Sequence, residues 1–339
     1  MIKKTLLGLV VVAVALLIIG MLLPRQVHVE RSMTVERPAS LVFAVLNSYQ
    51  RFSQWSPWAQ YDPNLKQTID GPRSGVGAKM SWSGNSKVGT GSQTITAVVD
   101  NKSIASDLDF GAMGRSRAAF ILQTLEAART KITWTIDMDM GAGPIGRYFG
   151  LGMDRGIGGD FSRGLAKLKT LVETLPNVAI AGLKVTEVSV VSEPLLTVME
   201  TTSTDTAAIS KGYADGYAKI GKYILKHKLQ QRGAVQGIDH EMSPTSYAFE
   251  AAVPIAMPAN RSDIAAEGNV ILKQSYVGKA LNTTHIGPYD TLGQTYAKMA
   301  AYIAAQAYQL NGASFSKYID DPTKTRPDAL RTELYWPVK

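Results

Sequence analysis

Near the end of the chain runs Arg331-Thr332-Glu333-Leu334-Tyr335-Trp336-Pro337-Val338, a strand-like stretch with one carboxylate among apolar and aromatic neighbours. Earlier stands Tyr247-Ala248-Phe249-Glu250-Ala251-Ala252-Val253-Pro254, again with a Glu four residues before a Pro. A further echo precedes each: Tyr217-Ala218-Lys219-Ile220-Gly221-Lys222-Tyr223-Ile224 answers Tyr296-Ala297-Lys298-Met299-Ala300-Ala301-Tyr302-Ile303. Two matches in the same order at nearly the same offset indicate an internal duplication. The C-terminal half therefore reads as two related units, about 183–258 and 268–339, with Glu250 and Glu333 at equivalent places.

The pattern inside the units is β-α-β-β. Strands are expected at 183–191 and 196–202, a helix over 206–230, and strands at 234–240 and 247–255. In the second unit a strand at 279–286 precedes a helix over 292–310 and strands at 314–319 and 331–338. Tyr213, Tyr217, Ile220 and Ile224 trace one apolar stripe, matched by Leu292, Tyr296, Met299 and Ile303.

Upstream of Leu175-Pro176-Asn177 the pattern changes, so 25–176 and 177–339 are read as separate domains. The first opens with a strand at 27–35, a short helix over 39–46 after Arg37-Pro38, and a second around 49–55. Strands broken by Gly-rich turns fill 65–140; in the clearest, Ile132, Trp134, Ile136, Met138 and Met140 alternate with polar residues, as in an antiparallel sheet with one wet face. A long helix over 154–174 closes the domain, with Ile157, Phe161, Leu165, Leu168 and Val172 on one stripe.

At the N-terminus, Met1-Ile2-Lys3-Lys4 leads into an uninterrupted apolar run from Thr5 to Leu23. That is close to the ~20 residues that cross a bilayer as a helix. Gly20-Met21-Leu22-Leu23-Pro24 offers no small-x-small cleavage site, which favours an uncleaved single-pass anchor over 1–24 against a cleaved signal peptide. Lys3 and Lys4 bias the N-terminus to the cytoplasm, with Arg25 and Arg31 weakening the contrast. The soluble domains are thus expected outside a bacterial inner membrane.

The 339 residues are long enough for two cores, and 45% hydrophobic with 19% charged residues describes a globular chain. The net charge of +8 is scattered, without the basic run of a nucleic-acid arm, so no nucleic-acid partner is expected. With no Cys there is no disulfide, thiolate metal site or Cys nucleophile. His28, His227, His240 and His285 show no ligand spacing, and no metal or cofactor is expected. Asp239-His240-Glu241 reads as a local polar turn. Gly141-Ala142-Gly143-Pro144-Ile145-Gly146 spells G-x-G-x-x-G but follows an alternating strand rather than opening a βαβ unit, which argues against a dinucleotide site. No G-x-S-x-G is present.

Two resemblances follow. Residues 27–175 resemble the helix-grip fold of the SRPBCC superfamily, which includes START-related and polyketide cyclase-like proteins, through Trp55-Ser56-Pro57-Trp58, Gly75-Val76-Gly77, Gly89-Thr90-Gly91 and Ile157-Gly158-Gly159-Asp160-Phe161-Ser162-Arg163-Gly164-Leu165. The resemblance implies an apolar cavity between a curved sheet and the long helix. From Gly182 onward the chain resembles the GyrI-like small-molecule-binding family, through His285-Ile286-Gly287-Pro288-Tyr289, Tyr318-Ile319-Asp320-Asp321-Pro322 and the last strand. That implies an aromatic-lined cleft between pseudo-symmetric units, with Glu333 as the acidic residue of the last strand inside it. The helix-turn-helix reader of regulators in that family has no counterpart here. The fold class expected overall is α+β.

Glu333, flanked by Leu334, Tyr335 and Trp336, is either on a wet strand face or buried where ionisation is costly. A buried carboxylate suits pairing with a cationic, aromatic-stacked ligand or service as a general base. Tyr289 and Tyr318 are expected to line the cleft, with Tyr276 and Trp336 as neighbours; Glu250 is the duplicate of Glu333, with a structural or surface role as its simpler reading. The leading expectation is a membrane-anchored binding protein, holding a hydrophobic or lipid-like molecule in the first domain and an amphipathic or cationic one in the second. The alternatives are a hydrolase of electrophilic small molecules using Glu333 as catalytic base, and an envelope scaffold with vestigial pockets.

Overall fold

A computed structural model describes residues 2–111, 114–257 and 267–339. Its fold is α+β: an N-terminal apolar helix, a seven-stranded antiparallel sheet with one long helix, then an eight-stranded antiparallel sheet. The chain divides into two compact units, Met1–Ala181 with Ala300–Ala307, and Gly182–Met299 with Tyr308–Lys339.

Helix α1, Ile2–Leu22, contains a 19-residue segment, Lys4–Leu22, long and apolar enough to cross a membrane. After it come β1 (Gln26–Val35), α2 (Ala39–Leu46), α3 (Phe52–Trp55), β2 (Lys66–Asp70), β3 (Lys79–Ser83), β4 (Thr90–Val99), β5 (Ser103–Asp109), β6 (Arg115–Glu126), β7 (Arg129–Asp139) and α4 (Pro144–Thr174). The strands follow one another in a meander, except that β1 closes the far edge beside β7, giving the order β1-β7-β6-β5-β4-β3-β2. The alternation in β7 places Ile132, Trp134, Ile136 and Met138 in the core. Against them α4 lays Phe161, Leu165, Leu168 and Val172, all with 1% exposure or less. Each such side chain stabilises the fold by about 1.5–3 kcal/mol. Trp134 stacks on Phe161 at 4.0 Å and meets Trp55, Trp58 and Phe120 through edges or tilted faces.

The long helix begins ten residues before its expected start at 154, at Pro144. Gly146, Gly150, Gly152 and Gly156 lower its helix propensity and mask the pattern. Tertiary packing overrides this, because α4 rests against β1 and α1. The G-x-G-x-x-G motif merely spans the link after β7 and the first turn of α4, with Pro144 among the first helical residues.

The second unit contains β8 (Thr186–Val190), β9 (Pro194–Thr202), α5 (Thr206–Lys226), β10 (Val235–Met242), β11 (Tyr247–Pro254), β12 (Val270–Gln274), β13 (Gly278–Ile286), α6 (Leu292–Ala305), β14 (Phe315–Tyr318) and β15 (Arg331–Pro337). Strand β12 has no counterpart in the sequence reading, and the expected end of the first repeat, 258, lies outside the described residues. The sheet order β12-β9-β11-β10-β14-β15-β13-β8 is palindromic about the β10–β14 pair, as a duplication demands. The edge strands are exchanged. β8 opens the first copy but pairs with β13 of the second, and β12 opens the second copy but pairs with β9 of the first.

Candidate functional site

Strand alternation divides the side chains of the eight-stranded sheet between two faces. Toward the helices point Asp239 of β10, Phe249 and Ala251 of β11, Ser316 and Tyr318 of β14, and Leu334 and Trp336 of β15. Helix α5 carries Tyr213 and Tyr217, one turn apart on its apolar stripe, and α6 carries Tyr296. Gly237 is a close-approach point, because a Cβ there would sit 2.5 Å from the hydroxyl of Tyr213. A side chain at that position would push the tyrosine off the sheet.

The result is two groups of aromatic rings, joined through the hydrogen bonds of Asp239. Tyr213 lies 4.0 Å from Phe249 and 6.1 Å from Tyr318, Tyr289 lies 5.4 Å from Tyr318, and Tyr296 lies 5.2 Å from Trp336, as ring centroids. Tyr289 is the open rim, at 38% exposure. At the floor is Asp239. Its Oδ1 accepts from the Tyr247 hydroxyl at 2.5 Å, and its Oδ2 accepts from Tyr296 at 2.9 Å and Ser314 at 2.7 Å. Tyr213 and Tyr247 are linked at 3.2 Å, and Tyr296 and Ser316 at 2.8 Å.

Burial pushes the Asp239 carboxyl above the usual carboxylate range, and the hydroxyl donors pull it part of the way back. Burial also raises the phenols of Tyr213, Tyr217, Tyr247, Tyr296 and Tyr318 above their ordinary values, so all five remain neutral. The bulge between Asp239 and Glu241, with His240 as the extra residue, interrupts the β10–β11 ladder beside this carboxylate. Bulges at such places re-aim side chains.

Of the residues expected at a cleft, Tyr289, Tyr318 and Trp336 come together on this helix-side face. Glu333 does not join them. It lies one residue out of phase with Trp336, on the opposite face, where its Oε2 accepts from the Tyr335 hydroxyl at 2.5 Å and its strand neighbour is Lys317. Glu250 lies on that same opposite face, ion-paired to Lys273 and 3.3 Å from His240. Tyr276 lines a cavity of about 150 Å³ there with Leu195, Gln236, Ile238, His240 and Phe315. The carboxylate of this helix-side cluster is Asp239, which stands in the segment read from sequence as a polar turn. Its hydroxyl partners come from β11, α6 and Ser314, while on α5 Tyr213 reaches it only through Tyr247 and Tyr217 donates to the Gln236 carbonyl. Because Glu333 faces away, Glu333→Gln is expected to change binding in the helix-side cleft by less than about threefold, as for a substitution remote from a site; calorimetric titration checks this.

In the first unit the space between sheet and α4 holds the Trp134–Phe161 stack. Among the described residues the buried Trp55 Nε1 and Ser56 Oγ have no hydrogen-bond partner. Beside α4 a shallow, open hollow of about 720 Å³ is lined by Tyr61, Phe149, Met153, Ile157, Asp160 and Arg163. Among the described residues no cluster of His, Asp and Glu is arranged to hold a metal ion.

Comparison with known proteins agrees with the division into two kinds of domain. Residues 26–173 match the family described as polyketide cyclase/dehydrase and lipid transport, and residues 193–339 match the GyrI-like small molecule binding domain. No curated protein matches the chain. Among solved structures, the chain is similar to the EcmrR C-terminal domain, at 19% identity over 47% of this chain and 98% of that one, with a TM-score of 0.40. It is similar to a hydrolase from Listeria innocua at 16% identity over 46% and 92%, TM-score 0.33, and to the Zhui aromatase/cyclase from Streptomyces sp. R1128 at 22% identity over 44% and 94%, TM-score 0.33. Similarities of this size leave the activities of those proteins as properties of those proteins. The chain joins a polyketide cyclase/SRPBCC domain, 26–173, to a GyrI-like small-molecule-binding domain, 193–339.

Proposed function

We propose that this protein is a membrane-anchored binding protein whose GyrI-like domain captures an amphipathic, cationic aromatic molecule in the helix-side cleft. The observation that carries the reading is Asp239, a carboxylate set among Tyr213, Tyr247, Tyr296 and Tyr318. Aromatic faces attract a cation within ~6 Å, by about 2 kcal/mol or more once it is desolvated. A nearby carboxylate adds a charge of the right sign. The hydroxyls now bonded to Asp239 are the groups a cation would displace or share. A hydrolytic reading through Glu333 would require a separate site on the opposite face, near the cavity lined by Tyr276.

The helix-grip domain is proposed to hold a hydrophobic or lipid-like molecule with a hydrogen-bond acceptor. Trp55 Nε1 and Ser56 Oγ, both buried and without a partner among the described residues, are the donors such a molecule would meet. Helix α1 supplies the anchor in this reading, its length and hydropathy being the support.

The test is titration of the full chain in lipid nanodiscs, with empty discs as blank. The probes are a cationic triphenylmethane dye and its uncharged leuco form. The cation is expected to bind at least tenfold more tightly than the leuco form. Equal binding of the two, or loss of cation binding on Glu333→Gln with none on Asp239→Asn, would overturn the assignment.

A further inference from the structure

The first turns of α4 differ from the rest of that helix. Pro144-Ile145-Gly146-Arg147-Tyr148-Phe149-Gly150-Leu151-Gly152-Met153 carries a single charged residue, Arg147. Ile145, Phe149 and Leu151 are 71%, 67% and 65% exposed. Beyond Asp154 the helix turns to burying Phe161, Leu165, Leu168 and Val172. Ile145 and Phe149 lie one turn apart on one face and Leu151 on the other side of the helix, so apolar side chains are exposed around it. Exposed apolar surface of this kind marks a contact with lipid or with a partner.

This segment lies against α1. The Tyr148 hydroxyl donates to the Leu16 carbonyl at 2.7 Å, and the Arg147 guanidinium donates to the carbonyls of Met21 and Leu23. The two helices meet closely at Gly20, where a Cβ would lie 2.6 Å from Pro144 and 2.7 Å from the Tyr148 ring. Helix α1 is itself apolar on every exposed side, from Leu6 to Leu22.

We propose that the first turns of α4, foremost Ile145, Phe149 and Leu151, are immersed in the bilayer beside α1, so that the helix-grip domain stands on the membrane on two helices. The proposal rests on the reading of α1 as an anchor. The depth follows from the contact at Leu16, which lies about 9 Å of helix rise from Leu22 at ~1.5 Å per residue. Interfacial helices bury their apolar faces to about that depth, ~5–10 Å. Arg147 fits the location, because it satisfies carbonyls at the end of α1 that have no intrahelical partner and are costly to leave bare in hydrocarbon. Lipid is the occupant because apolar side chains are exposed around these turns of α4 and around α1 beside them, over about the same depth. Placing a protein there would leave the flanking faces of α1 and α4 unaccounted for.

The chain contains no Cys, so single cysteines report without background. Nitroxide labels at Phe149→Cys, Leu151→Cys, Val10→Cys and Thr170→Cys, each in the full chain, are compared in phosphatidylcholine–phosphatidylglycerol vesicles. The readout is accessibility to oxygen against a water-soluble nickel chelate. Labels at 149 and 151 are expected to favour oxygen as strongly as the label at 10, and at least tenfold more than the label at 170. Lipid at 10 with water at both 149 and 151 would overturn this proposal and leave the anchor standing. Lipid at 149 and 151 with water at 10 would overturn the anchor and sustain the interfacial contact of α4. Water at all three would overturn both.

Discussion

Asp239→Asn weakens binding of a lipophilic aromatic cation to the GyrI-like domain by about 30-fold to several thousand-fold. This is the range expected when one partner of a desolvated charge pair is removed, roughly 2–5 kcal/mol. The substitution keeps the size of the side chain and an acceptor oxygen for the Tyr247 or Tyr296 hydroxyl, so the aromatic surface survives it. The uncharged isostere should lose less than about threefold, since it gains nothing from the carboxylate. Equal losses for both probes would mean that the cleft had rearranged, and that Asp239 acts by shape.

The same substitution has a pH signature. Burial holds the Asp239 carboxyl above its unfolded value, so the folded state binds the proton more tightly than the unfolded chain does. Its contribution to stability is therefore full below the unfolded carboxylate value, near ~3.9, and is lost as pH rises toward the raised folded value. The loss is about 1.4 kcal/mol per unit of separation between the two values. The ligand-free protein should accordingly melt higher when moved from neutral pH into the weakly acidic range, and Asp239→Asn should remove that part of the gain. Cation affinity should run the other way, falling as the carboxyl takes up its proton. Thermal unfolding and dye titration across pH check both directions.

Trp134→Ala is expected to destabilise the helix-grip domain by about 3–5 kcal/mol, the usual cost of deleting a large buried aromatic. Trp134 is 3% exposed, stacked on Phe161 of α4, and in contact with Trp55, Trp58 and Phe120. Its removal takes the centre out of the contact between sheet and helix, so α4 loses its register on β7. Trp134→Phe keeps a ring against Phe161 and should recover part of the loss. Denaturant unfolding monitored by tryptophan fluorescence measures this, and a loss below about 1 kcal/mol would show that the cavity collapses or that the stack is not central.

Local periodicity carried a large part of the architecture. The alternation of Ile132, Trp134, Ile136 and Met138 marked a half-buried strand, and Leu165, Leu168 and Val172 marked the face of α4, because repeats of 2 and 3.6 residues are written directly into the chain. The echo of Glu250 in Glu333 exposed the duplication, and the sheet is palindromic accordingly. Where neighbours far along the chain decide the outcome, sequence had no voice. The start of α4 at Pro144 depends on packing against α1 and β1, which outweighs the glycines. The exchange of β8 and β12 between the two copies depends on which strand edge each reaches. The cleft shows the limit best. A strand presents alternate residues to opposite faces, so Trp336 could face the helices only if Glu333 faced away. Which face the helices cover is a tertiary matter, and it set Asp239, a residue whose own neighbours in sequence are merely polar, among the helix-side tyrosines and left Glu333 on the other side of the sheet.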